Sequence, residues 1–130
     1  MTTTKHRSVD IYKKVCEWWK YHNFPILPLD FLPFEAFTIS KDEIELYTVF
    51  LYVTDSSLCW LTFPVSNPTA TFEEKQGAME QLFKDVGEYA KSEGYKFMFT
   101  TSPLPRVQEA LIASGFSLGD ENVNHYMKLL

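Results

Sequence analysis

Leu58-Cys59-Trp60-Leu61-Thr62-Phe63-Pro64-Val65-Ser66-Asn67-Pro68 is the stretch on which the reading of this chain turns. From Leu58 to Val65 only Thr62 is polar, and an apolar run of this length without alternation reads as a strand covered on both faces. Within it Trp60 and Thr62 share one face, and Cys59, Leu61 and Phe63 share the other. Pro64 donates no backbone hydrogen bond. In a central strand it forces either a bulge, with pairing resumed beyond it, or the end of the strand at Phe63.

Upstream, Asp55-Ser56-Ser57 is a turn and Ile44 to Thr54 a long strand rich in Tyr, Val, Phe and Leu. Ser40-Lys41-Asp42-Glu43 is a polar turn that joins it to a strand over Phe34 to Ile39, so the three strands form antiparallel hairpins. Before them Pro25, Pro28 and Pro33 punctuate an apolar loop with room for one helical turn. Ser8 is placed to cap a helix from Val9 to His22, in which Ile11, Tyr12, Val15, Trp18 and Trp19 recur at helical spacing. Adjacent helical residues point about 100° apart, so Trp18 and Trp19 are both buried only if the proline-rich loop wraps the helix. The alternative is an aromatic wall for a ligand or partner.

Downstream, Thr71-Phe72-Glu73-Glu74 has the spacing of a capping box ahead of a helix carrying Met79, Leu82, Phe83, Val86 and Ala90. Gly94 ends that helix and Tyr95 to Thr101 follows as a strand. Strand, helix and strand of these lengths imply a right-handed parallel crossover. Pro105 suits the first turn of a last helix ending at Gly115. Phe116 to Leu118 and Val123 to Leu130 read as two short closing strands. The element order gives a mixed α/β (α+β) fold, with helices on both faces of one mixed sheet.

The 130 residues fit one domain, with Met1 to Arg7 as a flexible polar start. Hydrophobic residues make up 45% and aromatics 16%, enough for a core rich in rings. The net charge of −5 argues against broad nucleic-acid binding, which needs a basic surface to displace counterions. No run matches a membrane span or a signal peptide. Cys16 and Cys59 lie far apart in apolar segments, as buried free thiols in a reducing cytoplasm would. Three dispersed histidines and these two cysteines give no metal-binding spacing. There is no nucleotide-binding loop and no dinucleotide glycine fingerprint.

Several segments in this order resemble the GNAT superfamily of N-acyltransferases: LCWLTFPVSNP leading into a loop and long helix, the strand YKFMFTT, the helix VQEALIASGF closing in Gly-Phe, and the last strand HYMKLL. The likeness runs from about Val9 to Leu130 and is nearest to small stand-alone GNAT-like proteins of tailed bacteriophages, which share a tryptophan-bearing first helix and a Val-Ser-Asn-Pro turn. The resemblance implies a sheet of about six to seven strands. It implies that a bulge at Pro64 splays this strand from the next and admits the pantetheine arm of acetyl-CoA, the expected cosubstrate, against Val65, Ser66 and Asn67. The pyrophosphate then belongs at a helix N-terminus, where unpaired N–H groups face an anion. The family writes that loop as Arg or Gln, two residues, Gly, one residue, then Gly or Ala. Here only Lys75, Gln76, Gly77 and Ala78 resemble it, and Ser102, just beyond the next strand, is a further cofactor-binding candidate. Glu73 and Glu74, read as the helix's first turn, oppose a phosphate.

Acetyl transfer to an amine needs a base and an acid. The family's acid is commonly a Tyr four residues before the Gly of Gly-Phe, and that position is Leu111. The family's Asn near the start of the same helix is not evident; Ser102, Pro103 and Leu104 occupy the region. Tyr126 is the substitute acid, with His125 beside it on the opposite face. Asp30 is the carboxylate taken as base, ahead of Glu35 and Asp55. The expected partners are an acyl-CoA and an amine acceptor, with the acidic balance leaning towards a cationic one. The alternative is a GNAT-fold binding protein without chemistry, docking on a host or viral macromolecule. Exposed aromatics would also serve a homodimer.

Overall fold

The computed structural model describes all of residues 1–130. Five strands form one sheet in the order β1 (Thr2–Arg7), β2 (Glu35–Lys41), β3 (Ile44–Val53), β4 (Leu58–Ser66), β5 (Phe97–Phe99). The first four are antiparallel neighbours, and β5 runs parallel to β4. Between them lie α1 (Ser8–Tyr21), a 3-10 turn at Leu29–Phe31, α2 (Phe72–Lys75), α3 (Ala78–Ser92) and α4 (Pro105–Ala113).

Residues 2–7, expected as a flexible start, are a strand along the edge of β2. Their polarity misled, because an edge strand needs only one apolar neighbour and β-branched threonine suits extended backbone. Asp42 and Glu43, both at positive φ (51° and 66°), make the two-residue turn between β2 and β3. That is the geometry whose twist matches a hairpin.

The sheet separates two cores. On one face α1 sets Ile11, Val15, Trp18 and Trp19 against Ala36, Phe50 and Val65, with Leu27 and Leu32 of the proline-rich loop closing over them. Trp18 and Trp19 are therefore both core, wrapped by that loop, and not an exposed aromatic wall. Arg7, not Ser8, is the residue before the helix, and the buried Ser8 hydroxyl caps nothing. On the other face α3 and α4 bring Leu82, Phe83, Val86, Val107 and Leu111 onto Phe37, Val49, Leu51, Cys59 and Leu61. Both cysteines are free.

Inside the sheet, Thr38 and Thr48 sit directly opposite and share a 2.8 Å hydroxyl hydrogen bond, both fully buried. Thr48→Val strands the Thr38 hydroxyl and is expected to cost about 1–3 kcal/mol in urea denaturation. The Thr38→Val/Thr48→Val double variant should recover most of that loss, since no buried polar atom is then left alone.

Two expectations fail at the carboxyl end. Phe116 to Leu118 and Val123 to Leu130 form no strands, so the sheet has five strands and not six to seven. β5 is only three residues long, where Tyr95 to Thr101 was expected, and a ladder on so short an edge has few hydrogen bonds to offset the ordering of a tail. Tyr126, Met127 and Leu129 are accordingly exposed.

Candidate functional site

The decisive feature is where β4 bends. Thr48 of β3 pairs with Val65 and Phe50 pairs with Thr62, so Val49 alone faces both Phe63 and Pro64. This is a bulge, and β4 continues beyond it to Ser66. Phe63 takes φ 52°, a strained choice for a bulky side chain. Pairing between β4 and β5 covers Leu58, Cys59 and Trp60 against Phe97, Met98 and Phe99, and stops there. From Leu61 to Ser66 the outer edge of β4 has no strand partner. Along that stretch its peptide groups have no strand to pair with and can meet a ligand that lies along them, except the Ser66 carbonyl, which lies 3.0 Å from His22 Nε2.

The loop beyond β4 is tied down by its own polar groups. Asn67 donates from its side chain to the Glu45 carbonyl (2.7 Å), while its oxygen accepts from the backbone and hydroxyl of Thr69. The Ser66 hydroxyl lies 3.0 Å from His22 Nε2. The capping box is present: the Thr71 hydroxyl accepts from the Glu74 amide and the Glu74 carboxylate accepts from the Thr71 amide. Those hydrogen bonds hold the Glu74 carboxyl below the usual carboxylate range. Yet the box caps only the single turn α2. The long helix starts afresh at Ala78, so Glu73 and Glu74 do not belong to its first turn.

Gly77 makes that restart possible. It stands before α3 in the left-handed region, φ 76°, and a Cβ there would meet nothing within 4 Å. The first α3 hydrogen bond runs from Gln81 to the Gly77 carbonyl, which leaves the amides of Ala78, Met79 and Glu80 without backbone partners. Glu80, the acidic residue of this turn, is paired with Lys84 at 2.9 Å. Lys75 makes no ion pair. Neither does Arg106 in the first turn of α4, whose guanidinium lies 5.2 Å over the Phe72 ring of α2. An open β4 edge, a glycine-led helix head and two unpaired cations are the parts that an extended, phosphate-bearing ligand requires. Sequence reading missed Arg106, because only its tertiary contact with Phe72 brings it here.

The remaining sequence candidates are dispersed. Val65 is buried at the end of β4 and Ala78 at the head of α3. Gln76 ends α2. The Ser102 hydroxyl accepts from the Leu104 amide beyond β5. Asp30 is exposed on the 3-10 turn, and Tyr126 is 91% exposed on the unpaired tail. His125 lies 3.0 Å from the Thr101 hydroxyl, which brings the tail past the end of β5. Leu111 is buried core.

On the α1 side of the parted strands, Phe31, Tyr52, Trp60, Phe63 and Phe99 cluster. The Tyr52 hydroxyl donates to the Phe31 carbonyl at 2.6 Å, and burial pushes its pKa up. Nothing in the sequence flags these five rings as a group, since they lie on four separate segments.

Comparison of the sequence with family models and with characterised proteins finds no match. Solved structures do match over the whole chain. A soil-metagenome aminoglycoside acetyltransferase in complex with sisomicin superposes with a TM-score of 0.74 at 12% identity, over 99% of this chain and 96% of that one. An aminoglycoside N-acetyltransferase, AAC(6')-Iy, in complex with CoA gives 0.64 at 15%, over 98% and 100%. A ribosomal-protein-alanine N-acetyltransferase from Brucella melitensis biovar Abortus 2308 gives 0.68 at 9%, over 99% and 100%. The chain therefore has the fold of these acetyltransferases.

Proposed function

We propose that this protein is an N-acetyltransferase that moves an acetyl group from acetyl-CoA to an amine. The observation that carries the reading is the bulge at Phe63 and Pro64, with β4 and β5 parting after Trp60 and α3 starting at Ala78 after the left-handed Gly77. The open edge of β4 around Val65 and Ser66 would take hydrogen bonds from the pantetheine arm, while Asn67, already bonded to Leu46, Glu45, Thr69 and Ala70, would hold the turn beyond it. The amides after Gly77, with Gln76, Lys75 and Arg106, would hold the pyrophosphate, and Ser102 would flank it.

Acetyl-CoA supplies an activated thioester. The amine nitrogen bonds to the acetyl carbon, the carbon–sulfur bond breaks, and the proton lost by nitrogen is balanced by the one gained by the thiolate. In this chain Asp30 is the proposed base through water and Tyr126 the proposed acid. With Leu111 buried where the resembling enzymes carry a tyrosine, most of the rate would come from positioning. A docking protein that keeps the fold without the chemistry is the second reading, and Leu111 favours it.

Calorimetry with acetyl-CoA is the test. Saturable binding, together with acetyl transfer to an amine, supports the enzyme. Binding without transfer to any amine supports the docking protein. No heat at millimolar acetyl-CoA removes both the cosubstrate and the enzyme.

A further inference from the structure

The five rings beside the parted strands form an unbroken strip. Phe31 meets Phe63 at 6.1 Å between centroids, Phe63 meets Tyr52 at 6.4 Å, Tyr52 meets Trp60 at 5.9 Å and Trp60 meets Phe99 at 6.1 Å. Trp60 and Phe99 are the last pair before β4 and β5 separate, and Phe63 is in the bulge itself, so the strip crosses the mouth of the opening. Phe31, Trp60 and Phe99 are 38%, 40% and 52% exposed, while α1 covers Ala36, Phe50 and Val65, and of the strip only Phe63 packs against that core. The hydrogen bond from Tyr52 to the Phe31 carbonyl locks the far end of the strip to the sheet.

No member of the strip is charged. A polycationic acceptor would find five rings and no charged member among them to answer its several charges. An amine joined to an aromatic group finds what it needs: ring faces and edges for stacking, and a cation–π field for the single ammonium. We infer that the acceptor is a primary amine on a short linker to an aromatic group, held by this strip with its nitrogen towards the opening. The inference rests on the acetyl-transfer reading above and adds the acceptor class to it.

The chain carries its own probe. Trp18 and Trp19 are buried at 6% and 3% exposure, so Trp60 is the tryptophan that solvent and ligand reach. Titrating the full chain with 2-phenylethylamine, with coenzyme A present and absent, should change tryptophan emission saturably. Ethylamine and sisomicin at equal concentration should not. Phe99→Ala should weaken the phenylethylamine response about five-fold while leaving the acetyl-CoA heat unchanged. Phe99→Leu, which keeps an apolar group on β5, serves if the alanine variant does not fold. An equal response to ethylamine, or no response in protein that binds acetyl-CoA, overturns the inference alone. Loss of the acetyl-CoA heat with the phenylethylamine response intact removes acetyl transfer instead. Sedimentation as a dimer in which iodide no longer quenches Trp60 also overturns it, because a second copy then occupies the strip.

Discussion

Phe50→Ala is expected to lower the free energy of unfolding by about 3–5 kcal/mol, with the chemical denaturation midpoint falling and the slope unchanged. Phe50 is 0% exposed in the middle strand of the sheet, with the Trp19 ring 6.0 Å away and Ala36, Val65 and Val15 in the same cluster. Its neighbours are poorly placed to collapse into the gap. β2 and β4 are held on either side by antiparallel ladders, and α1 is held by two tryptophans that already fill their sites. A cavity therefore persists, and its cost adds to the lost transfer energy. Against a total stability of about 5–15 kcal/mol for a domain, this one substitution puts folding at risk. Phe50→Leu fills most of the volume and should cost less than half as much. A loss under about 1 kcal/mol for the alanine variant would mean that α1 does not pack on β3 as described.

Gly77→Trp is expected to weaken acetyl-CoA binding at least ten-fold, about 1.4 kcal/mol, as read by calorimetry. Two effects must be kept apart. Any bulky residue at φ 76° is strained, at a cost of about 1–2 kcal/mol in stability. Separately, the indole would project into the open space before the free amides of α3. Gly77→Asn distinguishes them, because asparagine tolerates the left-handed region. It should melt near the parent while binding with intermediate affinity. Unchanged affinity in the tryptophan variant would place the pyrophosphate somewhere other than the head of α3.

What the sequence made legible was local. The apolar run from Leu58 to Val65, the helical spacing around Leu82 and Val86, and the proline in β4 each act within a few residues, so pattern alone located them. Pro64 left bulge and strand end open, and only the pairing of Val65 with Thr48 decides between them. The capping box at Thr71 was read correctly as a cap and wrongly as the start of the long helix. The break depends on Gly77 turning left-handed, and a glycine in sequence does not announce its φ. β1 was missed because a polar edge strand has the composition of a tail. The closing strands were wrongly expected because alternation in Val123 to Leu130 says a segment can pair, not that a partner of sufficient length exists. The ring strip and Arg106 were beyond reach of any spacing rule, since tertiary packing alone assembles them.

The brevity of β5 has a mechanical consequence. One wall of the opening belongs to four antiparallel strands with a core on each face of the sheet, while the other is a three-residue strand gripped along a single margin. Segments with few ladder bonds fluctuate at the low end of a protein's local free-energy scale. Any widening of the gap is therefore cheapest on its slender side, and the sturdier half of the molecule would keep its shape.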